Sequence, residues 1–285
     1  MRQVSANGLM LPALGQGGWN IGDDPKKEQS ETDALRRGIS LGLNLIDTAE
    51  MYGDGRSELL IGKAVEGINR DEVILVSKVL PQNAGRSGIF ESCRASCSRL
   101  RTDYIDLYLL HWRGTVPLSE TVMCMEELVS SGRIRRWGVS NFDVCDMEEL
   151  ISVPGGANCA ANQVLYNISS RGIEFDLLPW LSEHKIAAMA YCPLAQAGTL
   201  KRMNTDILSD RTLLSAAEKY GISVFQLLLA FTLRNSGVTA VPKSGSAEHT
   251  EENAAAASIE ISDNDWAQID KVFWPPSSKM HLDIE

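Results

Sequence analysis

The sequence predicts an α/β fold, an eight-stranded (β/α)8 barrel of the TIM type, from three observations. Short, almost continuously apolar runs alternate with segments of helical spacing from one end of the chain to the other. Runs that are apolar on both faces are typical of parallel strands covered by helices. Eight such units spread evenly over roughly 270 residues favour the barrel over a doubly wound open sheet, which is the alternative.

The elements follow in order along the chain. The segment 4–12, with Asn7-Gly8 suited to a type I′ turn, predicts an N-terminal β-hairpin that caps the floor of the barrel. Between the strands, apolar side chains recur at helical spacing, as in Ala34, Leu35 and Ile39. The eight barrel strands are expected at 14–19, 44–46, 73–79, 106–110, 134–139, 163–166, 186–191 and 238–241.

The domain organisation is predicted to be simple. No stretch rich in Pro, Gly or Ser divides the chain, so residues 1–285 are expected to form one barrel domain. The segment after Trp274-Pro275-Pro276 is short and is expected to be irregular.

Composition excludes several classes of partner. With 27 basic and 37 acidic residues the formal net charge is −10, which repels nucleic acid and anionic membrane surfaces. No apolar run approaches the roughly 20 residues that span a bilayer. The six cysteines form no CxxC pair and the four histidines are dispersed, so no metal site is predicted. Buried, reduced thiols and a cytoplasmic location are expected.

Four polar residues at strand ends form a coherent acid–base set, because barrel active sites lie at the C-terminal ends of the strands. Lys78 ends an apolar run and needs an anionic partner, which Asp47 can supply. An ammonium beside the Tyr52 phenol is expected to lower its pKa towards neutrality, and His111 can orient a substrate oxygen. Structural roles for each residue, such as a plain Lys78–Asp47 ion pair, remain open at this point.

A second site is predicted near residue 243. Lys243 and Ser244 follow the last strand, and an Ala-rich helix begins at about Ala247. Helix N-termini and the loops after the last two barrel strands commonly bind phosphate, although Ser246 alone can be an ordinary N-cap. The segment from Gly15 to Asn20 lacks the third glycine of a dinucleotide-binding fingerprint.

Over residues 4–272 the chain resembles the aldo-keto reductase family, with the closest likeness to bacterial reductases of small aldehydes and keto compounds. The resemblance implies the same barrel fold and an oxidoreductase. The matching stretches are LGQGGW (14–19), GLNLIDTAEMYGDG (42–55), VSKV (76–79), DYIDLYLLHW (103–112), RIRRWGVSNF (133–142), NQVLYN (162–167), YCPL (191–194), VPKS (241–244) and EEN (251–253).

The resemblance also implies residue roles. Tyr52 would be the proton donor in carbonyl reduction, tuned by Lys78, which Asp47 holds, while His111 positions the carbonyl. Substrate would contact Trp19, Tyr52, His111 and Trp112. NADPH would lie across the barrel mouth. Near the nicotinamide, its contacts would be Gly17, Gly18 and Trp19 at the ribose, Ser140, Asn141 and Gln163 at the carboxamide, and Tyr191 stacked on the ring, with Asp47 as a further contact. Beyond it, they would be Pro193, Leu194 and Gly198 at the pyrophosphate, and Lys243, Ser244, His249, Glu252 and Asn253 at the adenosine end.

Two departures from the family pattern bear on specificity. His249 stands where the family usually has an arginine for the 2′-phosphate, which weakens the preference for NADPH and makes NADH possible. The C-terminal segment is short, so an open mouth and a broad range of small aldehydes, such as methylglyoxal, are expected. The family also favours a monomer.

Two other functions are compatible with the same residues. One is a non-catalytic NADPH-binding sensor or accessory subunit on this fold, which would bind coenzyme without turnover. The other is a lyase that uses Lys78 as a Schiff base; the Asp47 partner argues against it, because a charged, paired lysine is a poor nucleophile.

Overall fold

Eight parallel strands form the sheet in the computed structural model, which describes residues 1–195 and 207–285. The sheet order is β10-β9-β8-β7-β6-β5-β4-β3, so each strand pairs with its neighbour in the chain. The strands are β1 (Gln3–Ala6), β2 (Leu9–Pro12), β3 (Gln16–Gly17), β4 (Leu45–Asp47), β5 (Ile74–Val79), β6 (Ile105–Leu110), β7 (Ile134–Ser140), β8 (Ala161–Leu165), β9 (Ala187–Tyr191) and β10 (Val238–Ala240).

Helices separate these strands along the chain. They are α1 (Glu28–Ser40), α2 (Arg56–Ala64), α3 (Ile89–Leu100), α4 (Leu118–Ser130), α5 (Val144–Ser152), α6 (Leu177–Glu183), α7 (Arg211–Tyr220), α8 (Val224–Leu233), α9 (Ala247–Ala256) and α10 (Asp263–Val272). Within the described ranges, no single helix is long and apolar enough to cross a membrane; α7 and α8 meet that test only as a pair, bent by 89°.

The barrel closes between its first and last strands. Parallel bridges join Leu14 to Ala240 and Gly17 to Lys243, and the Gly17 N–H donates to the Pro242 carbonyl at 2.9 Å. A side chain at Gly17 would meet the Val241 carbonyl oxygen at 2.6 Å, so this close approach requires glycine. The predicted (β/α)8 barrel is confirmed, although only Gln16–Gly17 of the expected first strand has regular pairing.

The N-terminal hairpin is also confirmed. β1 and β2 pair antiparallel, and both Asn7 and Gly8 have positive φ, at 42° and 86°, as a type I′ turn requires. Val4 and Leu11 are buried against the inward side chains of the barrel strands, so the hairpin covers the barrel floor.

Alternation along each strand explains where polar groups converge. The barrel interior contains Leu45, Val76, Leu109, Ala161 and Met189, which pack together in one apolar cluster. Side chains two residues apart on a strand share a face, so the next inward position on each of these strands lies one layer higher. That layer consists of Asp47, Lys78, His111, Gln163 and Tyr191.

The prediction of buried thiols holds for four of the six cysteines and is wrong for Cys145 and for the half-buried Cys192. None of the six is in a disulfide, and Cys93, Cys97, Cys124 and Cys159 are buried. Cys145 is exposed, because it lies on the outer face of α5, where the helix meets solvent rather than the sheet.

Candidate active site

A buried lysine is the centre of the layer at the C-terminal ends of the strands. The Lys78 ammonium donates to both carboxylate oxygens of Asp47 at 2.9 Å, to the Thr48 carbonyl at 2.8 Å and to the Tyr52 hydroxyl at 3.1 Å. Lys78 is fully buried and Asp47 is 3% exposed. A buried charge requires a partner and hydrogen bonds, and this ammonium has both. The structure therefore brings Asp47, Tyr52 and Lys78 together as predicted.

The charge on Lys78 is well maintained. Burial acts to lower its pKa, but Asp47 and then Tyr52 outweigh burial and raise the pKa above the ordinary lysine value. An ammonium that stays protonated has no lone pair with which to attack a carbonyl. This environment argues against a Schiff-base role for Lys78.

The Tyr52 hydroxyl differs from expectation in the direction of its pKa. Burial raises the pKa, and although Lys78 lowers it, the net pKa lies above the ordinary tyrosine value. The expected net shift towards neutrality is therefore wrong, because the loss of hydration raises the pKa of Tyr52 more than the Lys78 ammonium lowers it. The phenol remains protonated, which is the form that a proton donor requires.

The loop that carries Tyr52 is shaped by residues with positive φ. Gly53 and Asp54 have φ of 57° and 52°, and Gly55 has φ of 85°. The Glu50 carboxylate accepts hydrogen bonds from the Leu80 N–H at 2.7 Å and from the Asn83 amide at 3.0 Å. These bonds join the loop after β4 to the loop after β5, so Tyr52 and Lys78 lie on connected segments.

His111 completes the predicted catalytic set and is uncharged. Burial, with a further contribution from the Lys78 charge, lowers the pKa of His111 to about 3. Its ring centroid lies 5.7 Å from that of Tyr52. Its Nδ1 atom is buried and has no hydrogen-bond partner within the described residues. A neutral imidazole offers a donor and an acceptor without adding a second positive charge beside Lys78.

Aromatic rings border this polar centre on the solvent side. Trp19 makes an edge contact with Tyr52 at a centroid distance of 4.8 Å, and Trp112 packs against His111 at 4.8 Å. Trp19 is 52% exposed and Trp112 is 36% exposed, which is unusual for residues of this size. These rings form an apolar entrance above Tyr52 and His111, in the positions predicted for substrate contacts. Arg113 is engaged elsewhere, in an ion pair with Glu149 at 2.8 Å.

Amide and hydroxyl groups converge on the opposite side of the mouth. The Asn141 amide donates to the His111 carbonyl and to the Ser140 hydroxyl, and the Asn141 carbonyl oxygen accepts from the Tyr191 hydroxyl at 2.9 Å. Gln163 donates to the Asp47 carboxylate at 2.8 Å. The Gln163 backbone carbonyl accepts from the Asn141 N–H and from the Ser140 hydroxyl, both at 2.9 Å. These predicted coenzyme contacts therefore lie together.

The third predicted region, near Lys243, is more exposed. The Lys243 side chain is 39% exposed, and Ser244 is half-buried beside the start of α9. The Ser246 hydroxyl caps α9 by accepting from the His249 N–H, and the His249 side chain faces solvent on the first turn. Glu252 and Asn253 lie on the second turn of the same helix. The first turn of α9 with Lys243 suits a phosphate group.

The structure describes most of the other predicted coenzyme contacts. Pro193 and Leu194 follow β9 directly, at the edge of the mouth. Gly198 lies outside the described residues. A side chain at Gly18 would meet the Asp47 carbonyl oxygen at 2.7 Å, so Gly18 has a packing role at the mouth.

The segment after Phe273 has no regular secondary structure, as predicted, but it does not leave the mouth clear. The Lys279 ammonium contacts the carboxylates of Asp143 and Asp176, which precede α5 and α6. The Glu285 N–H donates to the Tyr191 hydroxyl at 3.3 Å. The expectation of a fully open mouth is thus corrected, because two ion pairs draw this segment back onto the rim.

Sequence reasoning missed two contributors to the site. The Thr48 carbonyl accepts from Lys78, and Glu31 on α1 approaches Lys243 at 3.8 Å. A backbone carbonyl leaves no signal in residue type. A glutamate in the first turn of a helix ordinarily indicates a solvated position, yet Glu31 is only 1% exposed.

Comparison with known proteins agrees with this geometry. A model of the Aldo/keto reductase family matches residues 13–273. Methylglyoxal reductase YeaE of Escherichia coli (strain K12) is 49% identical over 276 residues, covering 97% of this chain and 96% of that protein. Crystal structures of an aldo/keto reductase from Klebsiella pneumoniae, one in complex with NADP and acetate and one with NADPH, each have a TM-score of 0.96 at 49% identity, covering 100% of this chain and 99% of the other. The chain therefore belongs to the aldo/keto reductase family and is an NADP(H)-dependent oxidoreductase of that family.

Proposed function

We propose that this enzyme reduces small aldehydes, such as methylglyoxal, to alcohols, with Tyr52 as the proton donor. The observation that carries the proposal is the Lys78 ammonium, which bonds both the Asp47 carboxylate and the Tyr52 hydroxyl in a buried layer. The substrate class is supported by the 49% identity to a methylglyoxal reductase and by the small aromatic entrance of Trp19 and Trp112.

The chain's own residues supply the proton. Tyr52 holds its proton because burial raises its pKa, and it can donate that proton to an oxygen at the mouth. The phenolate left behind lies 3.1 Å from the Lys78 ammonium, so the developing negative charge is stabilised by a group already in place. Asp47 orients the ammonium and keeps it protonated. The bound coenzyme supplies the hydride.

His111 orients the carbonyl oxygen. Its low pKa keeps the imidazole neutral at physiological pH, so it can donate a hydrogen bond to that oxygen without competing as an acid. Its ring lies between Tyr52 and Trp112, which places both a polar and an apolar contact next to the same substrate atom.

The coenzyme is expected to be held at both ends of the mouth. The polar side chains of Ser140, Asn141 and Gln163 suit the nicotinamide carboxamide, and Tyr191 suits the ring. Lys243, Ser244 and the first turn of α9 suit the adenosine phosphate. We propose NADPH as the preferred coenzyme with appreciable use of NADH, since His249 cannot grip the 2′-phosphate as arginine does.

Three further features belong to this proposal. We propose that residues 1–285 form one domain, because all eight barrel strands belong to one sheet with the hairpin packed beneath it. A monomer and a cytoplasmic location also stay predictions. Sedimentation of the purified protein and fractionation of expressing cells test them.

Substitution of Tyr52 by phenylalanine tests the central step. We expect Tyr52→Phe to lower kcat for methylglyoxal by about 10²–10⁴-fold, because the proton donor is lost, while NADPH binding changes little. The matched control is Tyr104→Phe, whose hydroxyl contacts Asp71 and Arg135 at the far end of the barrel. Steady-state kinetics and fluorescence titration with NADPH make the comparison. Near-normal turnover by Tyr52→Phe would contradict the proposal, and coenzyme binding without turnover by the wild type would favour a sensor.

A further inference from the structure

A buried carboxylate faces the lysine of the predicted phosphate site. Glu31 lies on α1, is 1% exposed, and places one carboxylate oxygen 3.8 Å from the Lys243 ammonium. Its other carboxylate oxygen accepts a hydrogen bond from the Gly22 N–H at 2.8 Å. The side chain is thus fixed at one oxygen, and the second oxygen points towards Lys243.

The backbone near Lys243 is shaped to permit this contact. A Cβ atom added at Gly245 would lie 3.1 Å from the Lys243 ammonium and 3.8 Å from the Glu31 carboxylate. Glycine at this position leaves the space in which the lysine can fold back towards α1. Gly245 has no positive φ, so close approach, rather than backbone conformation, distinguishes this position.

The contact has a consequence for an anion that binds Lys243. A phosphate that approaches the ammonium must share it with Glu31, and it also meets a fixed negative charge within a few ångströms. A ribose hydroxyl is uncharged, so the Glu31 carboxylate does not repel it. Acidic residues near the adenosine ribose generally favour coenzymes without the 2′-phosphate. His249, the neighbouring candidate for that phosphate, is exposed and offers no guanidinium in compensation.

We infer that Glu31 is a specificity-determining residue that competes with the coenzyme 2′-phosphate for Lys243 and so reduces the discrimination between NADPH and NADH. The inference rests on the proposed placement of the coenzyme. Glu31 acts through Lys243 as a positioning residue and makes no contact with the reacting atoms.

Glu31→Gln is the primary test, because the amide oxygen can still accept from the Gly22 N–H while the charge is removed. We expect the Kd for NADPH to fall about fivefold and the Kd for NADH to change less than twofold, as for loss of one partly exposed charge interaction. The matched control is Glu28→Gln on the same helix, whose exposed carboxylate pairs with Lys63. Fluorescence titrations with both coenzymes give the ratio of the two Kd values.

A second variant and a double variant separate the explanations. Gly245→Ala should displace the flexible end of Lys243 from Glu31 and raise the affinity for NADPH in the same direction, while the buried Glu31 carboxylate is retained. In a Lys243→Met background, Glu31→Gln should no longer change the ratio of affinities.

The outcomes distinguish this inference from the proposed function. An unchanged ratio in Glu31→Gln, an equal change in Glu28→Gln, or an effect that persists in Lys243→Met would overturn the inference while methylglyoxal reduction stands. If the wild type binds neither coenzyme, the proposed function fails and the inference fails with it.

Discussion

Two lysines near the ends of barrel strands each face a carboxylate, yet their surroundings differ. Lys78 is completely buried and its ammonium lies 2.9 Å from Asp47, while Lys243 is 39% exposed and lies 3.8 Å from Glu31. The Lys78 ammonium lies within hydrogen-bond distance of four oxygen atoms, which hold it in place. The Lys243 side chain is partly exposed to solvent, and the Glu31 carboxylate faces it at longer range.

The difference indicates two modes of electrostatic control. A buried ion pair fixes a proton donor before substrate arrives, because any rearrangement would expose an unpaired charge to a medium of low polarity. A partly exposed pair can exchange its partner for a ligand at little cost, so it adjusts affinity. The Lys78–Asp47 pair is therefore fixed in place, whereas the Lys243–Glu31 pair is adjustable.

Among substitutions of single charged residues, loss of Lys78 from the buried pair with Asp47 is expected to have the largest effect on stability and turnover. Lys78→Met leaves Asp47 buried without its counter-ion, and loss of one partner of such a pair costs about 3–5 kcal/mol of unfolding free energy. The kcat for methylglyoxal should also fall by at least about 10²-fold, because the phenolate of Tyr52 loses its stabilising charge. Urea unfolding and steady-state kinetics measure the two effects.

Two further variants sharpen this comparison. Lys63→Met removes an exposed lysine paired with Glu28 and should cost less than about 1 kcal/mol. Combining Asp47→Leu with Lys78→Met should restore much of the stability without restoring turnover, because no buried charge remains unpaired. Equal urea midpoints for Lys78→Met and wild type would refute the description of Lys78 as a buried structural charge.

Burial, with a further contribution from the Lys78 charge, lowers the pKa of His111 and predicts a pH dependence of stability. The pKa of His111 is about 3 in the folded protein, below the roughly 6.5 of an unfolded chain. The unfolded state therefore binds the extra proton first, so this contribution to stability is complete above about pH 6.5 and is lost as the pH falls towards 3. At pH 5 the loss should be about 2 kcal/mol.

His111→Gln isolates that contribution. The variant should lose less unfolding free energy than the wild type between pH 7 and pH 5, by about 2 kcal/mol, in urea titrations at the two pH values. His184→Gln, which changes an exposed histidine on the outside of the barrel, should keep the wild-type pH dependence. Parallel behaviour of all three proteins would show that His111 titrates normally.

Much of the candidate active site was predictable from the sequence, because strand geometry determines which side chains meet there. A polar residue two positions beyond an apolar inward residue must lie in the next layer of the barrel, which brings Asp47 and Lys78 together. The same alternation accounts for Gln163 and Tyr191. Where the inward residues of a closed barrel are known, the composition of the top layer follows.

Other features of the site could not be predicted from residue type. They depend on the balance between opposing electrostatic effects or on contacts between distant parts of the chain. The pKa of Tyr52 is set by burial against the Lys78 charge, and only the depth of burial decides which is larger. Glu31 has the position of an ordinary first-turn glutamate, and its burial arises from the packing of α1 against α9 and the loop at Gly22. The C-terminal segment returns to the rim because Lys279 meets two carboxylates that belong to distant loops.

The C-terminal segment is expected to give the smallest effect on stability. Lys279 contacts two carboxylates, but its side chain is 43% exposed. Lys279→Gln is preferable to changes at Asp143, because Asp143 also caps α5. We expect a loss of less than about 1 kcal/mol of unfolding free energy, as for surface ion pairs. The KM for the coenzyme should rise no more than about threefold, as the Glu285 N–H loosens its bond to Tyr191.

Lys271→Gln is the control, because within the described ranges that ammonium bonds only Gln268 of the same helix, α10. A tenfold or greater rise in KM for Lys279→Gln, with normal behaviour of the control, would mean that the C-terminal segment holds the coenzyme rather than resting against its site. The segment would then belong with Lys78 among the fixed parts of the mouth. A rise in KM of at most threefold would instead group the C-terminal segment with Lys243. The exposed charges of both would then change coenzyme affinity only slightly, and the buried layer around Lys78 would determine the chemistry.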